Sequence, residues 1–297
     1  AIESVMTSEN CKLLLIGNPT TMEGNFRRAF YEDRVLYHTI TISALESPNV
    51  LEGRSVIRGL ATKKWVEERR KIWGEENPVY QARVLGEFPD QGEDTLIPLS
   101  SVEGAAGRDS TQSRGLPNQD GEKVVIAVDV ARFGSDKSVI LRRRGMTVED
   151  IQEYRGLDTM KLAGHVANAI KLHQPDAVMI DEVGIGAGVL DRLREQGYHV
   201  QGVNVGTAAH DSEHYANLRA EGYWNLHDLF LQGEVTIPPD GELVAQLAGL
   251  RYTFNSLGRM LMESKEEIRR RGGASPDKAD AMMLAFLSNK RAVRLWG

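Results

Sequence analysis

Two aspartates, Asp129 and Asp181, each close a short apolar run, and a third, Asp280, is set inside an apolar stretch near the other end of the sequence. Asp129 follows Val124-Val125-Ile126-Ala127-Val128, and Asp181 follows Ala177-Val178-Met179-Ile180. Runs of that length bounded by polar residues are expected to be buried strands, and the ends of such strands are the usual place for a site in an open α/β sheet. Two carboxylates there repel each other unless a cation lies between them. Hard cations such as Mg²⁺ and Mn²⁺ take oxygen ligands, and a pair of them ~3.5–4 Å apart can activate water and steady the leaving oxygen in phosphodiester cleavage. Taken singly, an aspartate after a strand is also a common turn or capping residue.

Asp280 lies among Ala279, Ala281, Met282, Met283 and Leu284, and an acid buried unpaired in such a helix is costly. Asp277, one turn earlier, shares its face. It has a second reading, because Ser275-Pro276 looks like an N-cap followed by proline at the first helical position, where an acid suits the helix dipole. Asp136 is either a further ligand or a hairpin-turn residue. Glu182 and the run Gly184-Ile185-Gly186-Ala187-Gly188 follow Asp181, and glycines there would let a bulky ligand approach the backbone.

The elements that must position these groups follow from periodicity. Strands are expected at Lys123 to Val130, Lys137 to Arg143, Glu149 to Tyr154, Ala177 to Asp181 and His199 to Val205. Helices are expected at Thr159 to His173, Gly188 to Gln196, Ser212 to Gln232 and Pro276 to Lys290, with a hairpin near Tyr252 to Glu263. Three early strands followed by alternating helices and strands predict an α/β fold, a mixed sheet with helices on both faces. Upstream, Lys12 to Ile16 reads as a strand entering the loop Gly17-Asn18-Pro19-Thr20, and helices are expected at Asn25 to Tyr31, Lys63 to Trp73 and Pro78 to Leu85. From about Pro89 to Glu122 polar residues, Gly and Pro dominate, so residues 91–122 read as a linker or long loop between residues 1–90 and residues 123–297.

The chain of 297 residues is long enough for one large or two ordinary domains, and its 41% hydrophobic and 26% charged content is globular. The absence of a long apolar run or signal peptide leads to the expectation of a soluble, intracellular protein with no membrane partner. The single cysteine, Cys11, excludes an intrachain disulfide framework and a thiolate zinc site, and is expected to be buried. A net charge of −6 argues against coating nucleic acid by bulk electrostatics. Basic clusters at Arg142-Arg143-Arg144, Arg269-Arg270-Arg271 and Lys290-Arg291 with Arg294 read first as solvated faces.

Three segments together resemble the large terminase subunit of tailed bacteriophages, a DNA-packaging motor that joins an ATPase domain to an RNase H-like nuclease domain. They are Ala127-Val128-Asp129-Val130-Ala131-Arg132-Phe133-Gly134-Ser135-Asp136-Lys137-Ser138, the strand-Asp-Glu-Val-Gly segment around Asp181, and Ser264-Lys265 through Arg271-Gly272-Gly273 to Ser275-Pro276-Asp277-Lys278-Ala279-Asp280-Ala281. The resemblance implies an RNase H-like nuclease domain over residues 123–297 and the end of the ATPase domain over residues 1–90. It implies that Asp129, Asp181 and Asp280 hold Mg²⁺ or Mn²⁺, two ions, with Asp277 and Asp136 as further ligands. Lys265 would approach the DNA backbone near the cut, with Arg132 and Lys137 as further DNA contacts. The segment with Gly17, Asn18, Pro19 and Thr20 would couple ATP hydrolysis to movement.

The sequence holds no G-x-x-x-x-G-K-[ST] loop, so ATP phosphates have no evident seat and ATP hydrolysis by this chain alone is not expected. The expected function is metal-dependent endonucleolytic cleavage of double-stranded viral DNA during genome packaging in the host cytoplasm. Its implied partners are DNA, the small terminase subunit, the portal protein and further copies of the chain on the procapsid. The rivals are a non-cleaving fragment that docks on DNA or portal, an RNase H-like recombinase or transposase, and a phosphotransferase on a related fold, the last weakened by the missing phosphate loop.

Overall fold

The computed structural model of the chain describes residues 11–20, 24–89, 94–108, 122–131 and 137–287. Ahead of the sheet lie five helices, α1 (Asn25–Phe30), α2 (Pro48–Leu51), α3 (Lys63–Trp73), α4 (Pro78–Tyr80) and α5 (Leu99–Ala106). Thr62 caps α3 by accepting the Trp65 N–H, and Val66 and Trp73, two turns apart, bury one face of it. Asn77 does two jobs at α4. Its Oδ1 accepts the Val79 N–H, and its Nδ2 donates 2.9 Å to the Ala245 carbonyl, tying this region to a helix 168 residues away.

Three expectations for this region fail. Residues 12–16 pair with no strand among the described residues, and Leu14 and Ile16 are 78% and 85% exposed. An apolar run becomes a strand only where another strand satisfies its backbone. Residues 94–108, inside the stretch read as a linker, hold α5, whose Leu99, Val102 and Ala105 are buried in the same apolar cluster as Trp73, Val79 and Tyr80. Residues 109–121 lie outside the described residues. Cys11 is exposed, not buried.

The five-stranded sheet is built from β1 (Val124–Asp129), β2 (Ser138–Arg144), β3 (Thr147–Tyr154), β4 (Ala177–Asp181) and β5 (Gln201–Val203), in the order β3-β2-β1-β4-β5. β1 is the middle strand and is buried at every position, which suits its unbroken apolar run. It pairs antiparallel with β2 and parallel with β4, and β4 pairs parallel with β5. Between β3 and β4 runs α6 (Thr159–His173), capped by Asp158, and between β4 and β5 runs α7 (Gly186–Glu195). These two helices cover one face, where Ile126, Val128, Val178 and Ile180 meet Leu162, Val166, Val189 and Leu193.

The other face is covered by α11 (Asp277–Phe286), on which α8 (Leu218–Leu231) and α9 (Gly241–Ala248) pack in turn, with α10 (Lys265–Arg270) just before it. The hairpin β6 (Tyr252–Phe254) and β7 (Met260–Met262) forms a small second sheet. α11 is buried along its whole length and packs directly on β1, β2 and β4, where Ala279, Ala281 and Ala285 allow close approach. The predicted long helix from Ser212 begins instead at Leu218, because Asn217 caps it and Tyr215 bridges to Met260. Among the described residues, no helix is long and apolar enough to cross a membrane.

Candidate metal centre

Strand parity decides where the two strand-borne acids point. Ile126 and Val128 face α6 and α7, so Ala127 and Asp129 face the opposite side. On β4, Val178 and Ile180 face α6 and α7, so Asp181 shares the side of Asp129. The register Val128 to Ile180 makes them neighbours at the same end of the sheet. α11 lies over that side and brings Asp277 and Asp280, both in its first turn, to the strand ends. The structure therefore joins four acids that the sequence spreads over 152 positions, from Asp129 to Asp280.

Lys265, the first residue of α10, places its ammonium among them. Its Nζ lies 3.0 Å from Asp280 Oδ2, 3.5 Å from Asp277 Oδ1 and 3.9 Å from Asp129 Oδ2. The position is set by a capping box, in which the Ser264 hydroxyl accepts the Glu267 N–H and the Glu267 carboxylate accepts the Ser264 N–H. The neighbouring acids hold the lysine proton well above the ordinary lysine range although burial pulls the other way.

Each carboxylate has its own surroundings. Asp277 has both oxygens engaged, Oδ1 by the Ser275 hydroxyl and Oδ2 by the Lys137 backbone N–H at 3.0 Å. Ser275 thus serves the carboxylate and does not cap α11, whose cap position is Pro276. Asp181 Oδ1 accepts the Val183 N–H at 3.1 Å. Asp280 Oδ1 accepts the Tyr223 hydroxyl at 2.7 Å and the Arg219 Nε and Nη2 at 3.3 and 3.2 Å. Among the described residues, Asp280 Oδ2 is buried with the Lys265 ammonium facing it at 3.0 Å and no other donor.

The electrostatics divide the set. Burial pushes Asp129 well above the usual carboxylate range, and Asp280, Asp277 and Asp181 push the same way against the pull of Lys265. Burial also raises Asp181. Burial would raise Asp280 as well, but Arg219, Lys265 and the Tyr223 hydroxyl outweigh it and hold Asp280 below the usual range. Among the described residues, four acids face two cations, Lys265 and Arg219.

Those features fit a divalent cation. A buried carboxylate oxygen that faces an exchangeable ammonium and two acids that burial disfavours as anions are what an added cation would satisfy. Among the described residues, no three acidic, histidine or cysteine side chains stand close enough to hold an ion in the arrangement shown. Binding therefore requires the Lys265 ammonium to withdraw and the carboxylates to turn inward.

Other expected site residues fare differently. The Lys137 ammonium is taken up by Glu153 and Glu242, so its contribution to the acidic cluster is its backbone N–H. Arg132 and Asp136 lie outside the described residues. Gly17, Asn18, Pro19 and Thr20 form a loop beside Arg83, Glu103 and Gly241, none of which belongs to the cluster. The glycine run after Asp181 has an internal reason, since a Cβ on Gly186 would lie 1.8 Å from the Asp181 carbonyl oxygen. Arg143 is buried, bonded to the Ala285 carbonyl and stacked on Phe286, while Arg142 and Arg144 pair with Glu149. Arg271 pairs with Glu263. Lys290, Arg291 and Arg294 lie outside the described residues. Sequence reasoning missed Arg219 and Tyr223, whose i, i+4 spacing on an otherwise apolar helix face was the available signal.

No family model matches the chain. It is 25% identical, over 311 aligned positions covering 97% of it, to a probable terminase large subunit of Enterobacteria phage P7, and it spans 60% of that relative's length. Among solved structures it is similar to the nuclease domain of the large terminase subunit of bacterial virus Sf6, with TM-score 0.55, 20% identity, and coverage of 66% of this chain and all of that one. A mutant of the same domain with manganese and beta-thujaplicinol gives 0.58 at 20% identity and the same coverage. The large terminase nuclease of thermophilic phage G20c with bound cobalt gives 0.50 at 15% identity, over 66% of this chain and 98% of that one. These likenesses show a fold of the RNase H-like kind that the resemblance implied, with helices on both faces of a mixed sheet as the order of elements had led us to expect.

Proposed function

We propose that this chain, a relative of the large terminase subunits, carries a divalent-metal-dependent endonuclease that cuts double-stranded viral DNA during genome packaging. The observation that carries the proposal is the convergence of Asp129 and Asp181, at adjacent strand ends, with Asp280 laid over them by α11. Asp129, Asp181 and Asp280 would hold Mg²⁺ or Mn²⁺, with Asp277 beside them, and two ions suit the reaction. When bound, such ions supply a nucleophile from water and charge neutralisation at the cleaved phosphate. A bound cation would favour the ionised forms of Asp129 and Asp181 against the burial that raises them. Arg219 and Tyr223 keep Asp280 ionised, and Lys265, released from the acids, is free to meet the DNA backbone.

On this reading residues 123–297 are the nuclease portion and residues 1–90 correspond to the end of the ATPase portion, joined by a stretch, 91–122, that carries the buried helix α5. The loop Gly17-Asn18-Pro19-Thr20 would couple that portion to movement, and Arg132 would help to hold DNA. The partners would be DNA, portal protein, small terminase subunit and further copies of the chain on a procapsid in the host cytoplasm. One observation favours a second reading, a docking fragment that does not cleave: the Lys265 ammonium already sits where cations would bind.

Incubation of purified protein with supercoiled plasmid and Mn²⁺ separates the two. Nicked and linear products that disappear in Asp129→Ala and Asp181→Ala support the nuclease. Cutting that survives both substitutions undiminished removes it, and absence of cutting by the unsubstituted chain together with absence of Mn²⁺ binding favours docking.

A further inference from the structure

Asp277 and Asp280 lie one turn apart on the same buried helix, yet their side chains are held in different ways. Both oxygens of Asp277 are engaged, by Ser275 and by the Lys137 N–H. Asp280 has one saturated oxygen and one bare one. Its Oδ1 collects the Tyr223 hydroxyl and two Arg219 N–H groups, whereas its Oδ2 has only the ammonium of Lys265 nearby. We infer that Tyr223 and Arg219 are positioning residues that clamp Oδ1 of Asp280 and so present Oδ2 as its single metal-binding atom, leaving Asp277 as a support and not a principal ligand. This inference rests on the nuclease reading above.

The clamp is built into the packing of α8 on α11. Arg219 and Tyr223 are four residues apart on α8, hence on one face. Gly222 lets that face approach closely, because a Cβ there would meet the Met283 Sδ at 2.6 Å and the Leu287 Cδ2 at 2.8 Å. Tyr223 is fully buried, and a buried phenol needs a partner for its hydroxyl, which here donates to Asp280 Oδ1. Arg219 also donates 3.0 Å to the Glu263 carbonyl, so its guanidinium is fixed from two sides. A guanidinium stays protonated, so the cation on Oδ1 is permanent.

The cation on Oδ2 is of another kind. The Lys265 side chain is one-third exposed, whereas that of Arg219 is mostly covered. Its ammonium is shared among three carboxylates on a flexible stem, an arrangement that a divalent ion can displace. One oxygen is thus locked and the other exchangeable. The lock fixes the carboxylate plane and prevents Asp280 from turning both oxygens to Arg219 when the lysine leaves.

The test compares Mn²⁺ binding, read from the loss of the free-ion electron paramagnetic resonance signal, in the whole chain and in four variants. Tyr223→Phe should weaken binding about tenfold, or ~1.4 kcal/mol. The Mn²⁺ concentration for half-maximal nicking should rise by the same factor, with a smaller change in maximal rate. A purely structural role for Tyr223 would instead lower the metal-free melting temperature without moving the Mn²⁺ affinity of the folded fraction. Asp280→Asn should abolish binding, and Asp277→Asn should weaken it far less.

If Tyr223→Phe binds Mn²⁺ as tightly as the unsubstituted chain while Asp129→Asn and Asp280→Asn lose it, the clamp is refuted and the nuclease reading stands. If Asp277→Asn is as damaging as Asp280→Asn, the division of labour between the two acids is refuted. If neither Asp129→Asn nor Asp280→Asn affects binding, both the clamp and the metal reading fall. Should Tyr223→Phe not fold, Arg219→Lys, which keeps the charge and loses the fork, carries the same comparison.

Discussion

Two clusters of acids and lysines flank the start of α11, and they solve the burial of charge in opposite ways. In the first, Lys278 and Lys137 face Glu153, Asp240 and Glu242. The Lys278 ammonium lies 2.6 Å from Asp240 and 2.7 Å from Glu153, and Lys137 is bonded to Glu153 and Glu242. Burial works against these charges, but their hydrogen bonds outweigh it: Glu153 and Asp240 are held below the usual carboxylate range and Lys278 above that of lysine. Nothing is left wanting a partner there. In the second, around Lys265, Asp129 and Asp181 are pushed upward and one oxygen of Asp280 faces an ammonium shared among three acids. The closed cluster holds α11 to β3 and α9, and the open one has capacity left for a ligand. Perturbation that partners have compensated is what a structural ion-pair network shows, whereas perturbation left uncompensated makes the second cluster the candidate for a site.

The contrast is sharpest in activity. Asp129→Ala or Asp181→Ala should reduce Mn²⁺-dependent plasmid nicking by at least about a hundredfold, as expected for loss of a metal ligand, while Lys278→Met leaves whatever protein remains folded able to bind Mn²⁺. Equal losses in all three would erase the distinction between the clusters.

Stability should show the reverse order. Lys278→Met leaves Asp240 and Glu153 without their buried partner and should cost about 2–3 kcal/mol in urea unfolding, a value reduced from that of a fully buried pair because both acids are partly exposed. The stabilisation by Glu153 and Asp240 is present above their unfolded values near ~4 and is lost as the pH falls through their depressed folded values. Acid titration of the midpoint should therefore be flatter in Lys278→Met.

The smallest effect has the opposite sign. Between its unfolded value and its raised folded value, Asp129 binds more protons in the folded chain, so its contribution to stability falls as the pH rises through that window. Asp129→Asn should raise the metal-free stability at pH 7 slightly and flatten its fall with pH, and should remove the stabilisation that Mn²⁺ gives to the unsubstituted chain. A metal-free destabilisation by this substitution would mean that Lys265 alone compensates the site.

The strand-borne half of the centre was legible because two unbroken apolar runs ended in Asp129 and Asp181, and parity then fixed their side. Lys265 could be singled out by resemblance, but its place among the acids could not, since that depends on α10, a helix of six residues too short to show periodicity. Arg219 and Tyr223 were hidden for a similar reason: on α8 a polar residue looks like an exposed face until α11 is seen to cover it. The strand expected at Lys12 to Ile16 failed because strand formation depends on a partner that no local pattern reveals. α5 escaped notice because its Leu99, Val102 and Ala105 are interleaved with serine and glycine.

The most direct test of the account is a crystal of the chain soaked in Mn²⁺ and examined by anomalous diffraction. The account predicts an anomalous peak bounded by Asp129, Asp181 and Oδ2 of Asp280, with the Lys265 ammonium moved away and Oδ1 still held by Tyr223 and Arg219. A site in which the ammonium keeps its place among the acids and no peak develops at saturating Mn²⁺ would contradict it.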